Sequence, residues 1–159
     1  MRHVAVALTA IALLIPAAFA ANIVDFNRPR VIFVDSASAQ NACNQVSHRG
    51  CTLLNTEFFC NCARSGSDWT PAPRLIATPH VYTTTHEIVR HEIEHIADVR
   101  SSLTAYAVSL TLHTFHSEEA CSSYISEEKK LFATTLRNIQ YATTVRRDGE
   151  RYADRSEGH

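Results

Sequence analysis

Positive charge is nowhere concentrated in this chain. Fifteen Lys and Arg stand against sixteen Asp and Glu, a formal net charge of −1 over 159 residues. Without a basic stripe or polybasic cluster, the sequence offers no footprint for nucleic acid and none for an anionic membrane surface. Glycine and proline are sparse, four and five residues, and no low-complexity linker divides the chain. No repeat recurs, which removes solenoids and propellers. Beyond the first 20 residues there is no long apolar run.

Those first 20 residues read as a signal peptide. Arg2 supplies the positive start, residues 4–15 are apolar, and Ala18-Phe19-Ala20 is an Ala-x-Ala cleavage site. The apolar run is short and Ala-rich for a membrane span; a retained N-terminal anchor is the alternative. No Cys follows the cleavage site, so a lipid anchor there is not expected. The remaining 21–159, about 139 residues, suit one domain with one core. The expected location is periplasmic or secreted, with no membrane span after signal removal.

Export places Cys43, Cys51, Cys60, Cys62 and Cys121 in an oxidising compartment. Four of them fall between 43 and 62, where two disulfides would staple a region poor in helix. Cys60 and Cys62 are too close to pair with each other. Cys121, on an apolar helix stripe, is the expected spare thiol. A structural zinc on the four clustered Cys is the rival, although paired Cys-x-x-Cys knuckles are absent.

The most informative run is His91-Glu92-Ile93-Glu94-His95, a match to His-Glu-x-x-His. Residues four apart share a face of an α-helix, so both imidazoles reach one metal ion. Glu92 lies about 100° round the helix from His91, beside the metal rather than on it. There it can deprotonate a zinc-bound water. Shuffling would produce such a match in roughly 3% of chains of this composition, so the context decides. The bland alternative is a solvated helix face that carries two histidines. Thr84 and Glu87 fit a capping box that starts a helix nearly two turns earlier. Ile96, Val99, Leu103, Ala107 and Leu110 continue its apolar spacing.

Other segments place this helix. Residues 30–35 are apolar and β-branched and predict a buried strand. Residues 36–45 predict a loop or short helix, 52–60 a second strand, and 64–74 a loop rich in turn residues. Residues 75–78 and 80–83 are extended but interrupted by Pro79, which points to an edge strand. Such an edge could pair with an extended peptide or simply be blunted against aggregation. The first long helix is expected over 85–113. Ser117 then caps a second, with Glu118 and Glu119 in its first turn and Asp148-Gly149 as its stop. Cys121, Tyr124, Ile125, Phe132, Leu136, Ile139 and Val145 mark its apolar face. The expected class is α+β: two long antiparallel helices, the zinc-motif helix first, packed with a small N-terminal β region stapled by disulfides.

A catalytic zinc takes three protein ligands and a water. Glu118 and Glu119, 23 and 24 residues after His95, resemble the distal Glu of gluzincins, but acids also belong in a helix's first turn. His113 would lie about 27 Å along the helix from His95, and His116 sits past the break. His86 is about 140° off the motif's face. Asp98 is either an orienting acceptor for an imidazole or a solvated acid.

The chain resembles a bacterial family of predicted secreted zinc-dependent proteases. Arg90 to His95 match its helix, Cys121 falls where its second helix often carries Cys, and residues 151–159 resemble its Tyr-Asp-x-x-Thr-x-His-Gly tail. Ala153 is inserted between Tyr152 and Asp154, Glu157 replaces the Thr, and no Gly follows His159. The match spans roughly residues 75–159 and leaves 43–62 unexplained. The resemblance implies His159 as a third ligand if the tail folds back. Tyr152 is either an oxyanion donor or a residue packed against the helices.

The expected function is an exported zinc-dependent peptide hydrolase. Zn2+ sits on His91, His95 and His159 or a Glu118/Glu119 carboxylate, Glu92 is the base, and a peptide or protein is the substrate. The rival is an envelope zinc-binding or interaction module without catalysis. A third reading is a disulfide-stabilised helical adaptor with no metal.

Overall fold

The computed structural model describes residues 23–43 and 49–149. Two long strands dominate it. β3 (Gly50–Ser65) and β4 (Asp68–Thr83) form an antiparallel hairpin that stays in register over all sixteen residues, from Gly50 opposite Thr83 to Ser65 opposite Asp68. Gly66 turns the hairpin at φ 64°, a left-handed value that glycine adopts without strain. β1 (Val24–Phe26) and β2 (Arg30–Phe33) run parallel to β4 and follow one another along its other side. A short helix, α1 (Ser36–Cys43), comes next in the chain, its first turn capped by Asp35, whose Oδ1 accepts from the Ser38 N–H at 2.7 Å. Two longer helices follow, α2 (His86–Thr111) and α3 (Glu118–Asp148).

Proline placement explains how β4 survives as an inner strand. The N–H of Leu75 donates to Ile23, and the carbonyls of Ala77 and Thr83 accept from Asn27 and Val34. Odd-numbered residues of β4 therefore direct their backbone groups towards β1 and β2, because alternate residues of a strand face the same side. Pro71, Pro73 and Pro79 are all odd, so none removes a donor from the ladder with β3. Pro79 falls where residues 27–29 break the parallel ladder between β1 and β2. The missing N–H thus costs no sheet bond.

The same parity sets the core. From Pro71 to Thr83 every odd side chain of β4 is buried. Val24 and Leu75 meet Val99, Leu103 and Ala107 of α2 and Phe132 of α3, with the Phe58 ring 4.7 Å from that of Phe132. A second cluster joins Cys60, Cys121 and Ile125 to Trp69, Phe115 and Tyr124. Fully buried side chains such as Leu75 and Leu103 contribute about 2–3 kcal/mol each by removal from water.

Several sequence expectations are overturned. The class is α+β, but not two long antiparallel helices with a small β region: among the described residues a four-stranded sheet carries three helices. Residues 64–74 are strand and turn rather than loop, because their prolines all sit on the parity that the hairpin ladder does not use. The Pro79 segment is not an edge, since β4 has partners on both sides. Residues 30–33 do form a strand, yet a largely exposed one. The cap of α2 is Thr85 without a side-chain bond; the Thr84 hydroxyl turns instead to the Arg49 carbonyl. Ser117 does cap α3, accepting from the Ala120 N–H at 3.2 Å.

Two disulfides are present as expected, one of them within the 43–62 cluster, but Cys121 is not the spare thiol. The bridges are Cys43–Cys51 and Cys62–Cys121, and buried Cys60 is the free thiol. Cys60 and Cys62 lie two apart on β3, so both face α3, and Cys121 reaches the latter. That leaves no four-cysteine zinc site.

Two predictions follow from packing. A Cβ on Gly50 would stand 2.5 Å from Cγ2 of Ile88 and 2.9 Å from the Tyr82 carbonyl oxygen. Gly50→Ala should therefore cost about 1–3 kcal/mol in chemical denaturation, part of it recovered by adding Ile88→Ala. Burial pushes the Cys60 thiol up to about 11, leaving on the order of one thiolate per thousand at pH 8. Cys60 should resist a maleimide in native protein at pH 8 and label at once in denaturant, giving one adduct per chain.

Candidate metal centre

α2 presents His91, Glu94, His95 and Asp98 on one face, at helical offsets of three and four. The last turn of α3 meets that face. Asp148 Oδ1 lies 3.1 Å from His91 Nε2, and its Oδ2 lies 2.7 Å from His95 Nε2. The two imidazole nitrogens are 3.0 Å apart. One ligand atom from each of the three residues falls within 4.8 Å of the others. Beside Asp148, Arg147 donates from Nε and Nη2 to Asp98 Oδ2 at 2.9 and 2.7 Å, and from Nη1 to Glu94 Oε2.

These donors suit a metal ion. Contacts of 2.7–3.1 Å between lone-pair atoms are attractive only if a proton or a metal ion lies among them. Two imidazoles and a carboxylate form the nitrogen and oxygen set of catalytic zinc sites. One ligand atom from each residue lies within 4.8 Å of the others, a spacing that a single ion with bonds of about 2.0–2.2 Å could span. The His91 side chain is 47% exposed, against 12% for His95 and 17% for Asp148. The group is therefore most open to solvent on the His91 side.

Glu92 turns the other way, into the protein. It is buried, and its Oε2 accepts from the Thr52 hydroxyl of β3 at 2.8 Å. Burial pushes its carboxyl above the usual 4.5, opposed by the Thr52 bond and by the charges of His95 and His91, while Asp148 adds to the rise. The sheet thus holds the carboxyl against β3, outside the His91–His95–Asp148 group yet near enough for those residues to bear on its ionisation. Gly50, at the start of the same strand, allows α2 this close approach.

The expected metal set is only partly brought together. His91 and His95 converge as the motif requires. His159, Tyr152 and Asp154 lie outside the described residues, as does the segment 1–20 expected to be a signal peptide. Glu118 is at the opposite end of the sheet, its carbonyl 4.0 Å from Cys62 Sγ. Thr52, which touches Glu92, is ten positions back along β3, or about 33 Å at strand spacing; this removes Glu118 and the neighbouring Glu119 as ligands. His116 pairs with Asp68 at the hairpin turn, His113 stacks on Tyr124, and His86 packs on Phe33. Asp98 is neither a solvated acid nor an imidazole acceptor, because it holds Arg147.

Asp148 was not among the sequence candidates. Its signal was its position: an acid in the last turn of a helix opposes the macrodipole, after Arg146 and Arg147 that suit it. Read only as half of a stop signal, it lost its charge from the argument. No protein-family model, curated protein or solved structure matches this chain.

Burial of Glu92 has a stability consequence. A carboxyl held above its unfolded value costs nothing below pH 4.5 and destabilises progressively as pH rises past it. With metal removed by chelator, Glu92→Gln should therefore melt higher than the parent at pH 7, and the advantage should vanish on acidification to pH 4. An equal or lower melting temperature at pH 7 would contradict this sign.

Proposed function

We propose that the chain is an exported zinc-dependent peptide hydrolase with His91, His95 and Asp148 as ligands and Glu92 as general base. The observation that carries this reading is the approach of both Asp148 oxygens to the two Nε2 atoms of the motif. A buried acid beside that group supports it further. Zinc in this position supplies the Lewis acidity that acidifies water and polarises a carbonyl.

The chain's own residues do the remaining work. Glu92, with its proton affinity raised by burial, accepts the proton of the attacking water and returns it to the departing amine. Thr52 fixes the Glu92 rotamer through its hydroxyl, so the acceptor oxygen is held in place. His91 and His95 act as neutral donors, each through Nε2. Two disulfides fit an oxidising compartment, and no helix among the described residues is long and apolar enough to cross a membrane.

A zinc-binding module without hydrolysis is favoured by one feature, the Thr52 bond that already occupies Glu92. Glu92→Gln separates the readings on a quenched-fluorescent casein, with zinc content measured in parallel. The hydrolase reading expects about one zinc per chain in both proteins and a rate loss of roughly 10²–10⁴-fold in the variant. Cleavage by Glu92→Gln at the parental rate, or none by the zinc-loaded parent, would replace it with the binding module.

A further inference from the structure

The geometry points to Arg147 as the residue that positions the third metal ligand. This inference rests on the metal-centre reading above and goes beyond it. Asp148 is the last residue of α3, where a helix ordinarily frays, and Gly149 with φ 85° follows it at once. Nothing in helix propensity holds a carboxylate there, and the macrodipole disfavours it.

The face it must approach is itself acidic. Glu94 and Asp98 share the stripe of His91 and His95. Asp148 brought alone against this surface would meet like charge. Arg147 removes that obstacle. Its guanidinium spans Glu94 and Asp98, which are four apart on α2, and the next residue then falls on His91 and His95, also four apart. The dipeptide is a two-part plug: the cation takes the acids and the anion takes the imidazoles. One step along α3 would exchange these partners and bring acid onto acid. Arg147 therefore fixes the register in which Asp148 can ligate, without touching the metal or substrate.

Partners that orient a ligand typically change metal affinity by about 10–100-fold. The test is zinc affinity by chelator competition on the full chain carrying Arg147→Ala, Asp98→Asn, both together, or His91→Ala. We expect each clamp variant to bind zinc at least about tenfold more weakly, and the double variant no more weakly than the worse single. The zinc-free melting temperature should stay within a few degrees of the parent, because ion pairs that remain in partial contact with solvent add little stability. A merely structural role would instead lower that temperature and leave the affinity of the folded fraction unchanged. Parental affinity in Arg147→Ala, or losses that multiply in the double variant, would overturn the clamp. If His91→Ala abolishes binding while Arg147→Ala does not, the metal centre stands and only the clamp falls. Zinc retained by His91→Ala would remove both.

Discussion

Two imidazoles, one helical turn apart, and a carboxylate from another helix converge within 3.1 Å of one another. Atoms of this kind repel through their lone pairs unless a proton or a metal ion lies among them. Everything else in the local structure serves that convergence. α2 supplies the spacing of the histidines. The end of α3 supplies the counter-charge, and Arg147 ties the two helices where they meet. The arrangement costs helix stability at Asp148, a cost that a cation held by all three residues would offset.

The sheet makes the site more than a pair of helices. Glu92 faces β3 rather than solvent, and its burial and its bond to Thr52 both come from that strand. β3 can lie so near because Gly50 leaves room for Ile88. The hairpin can be sixteen residues long because its prolines occupy positions whose donors the ladder does not need. A chain poor in glycine therefore spends Gly50 on a close approach and Gly66 on a tight turn. Two disulfides hold the rest: one links the last residue of α1 to the start of β3, and the other ties the far end of β3 to α3.

Helical features were the legible part of the sequence. The apolar stripe of α2, read as Ile96, Val99, Leu103, Ala107 and Leu110, is the buried stripe observed. Ser117 as cap and Gly149 beyond the last turn held because capping chemistry is local. The convergence of His91 and His95 was readable for the same reason. The sheet was not, because Pro71, Pro73 and Pro79 look like breakers until the strand's neighbours are known. Their harmlessness depends on parity relative to β1 and β3, which no local pattern reveals. Disulfide pairing failed likewise: Cys62 and Cys121 are 59 residues apart, and only the packing of α3 on β3 joins them. Asp148 was missed for a third reason, since its partners lie more than fifty positions away.

The most direct test of the account is a crystal structure of the chain grown with zinc, with the metal located by anomalous scattering at its absorption edge. The account predicts one zinc bound by His91 Nε2, His95 Nε2 and an Asp148 oxygen, at about 2.0–2.2 Å from each, with Glu92 beside it but not coordinated. Density at any other position, or a His91–His95–Asp148 group that stays hydrogen-bonded with zinc in excess, would contradict it.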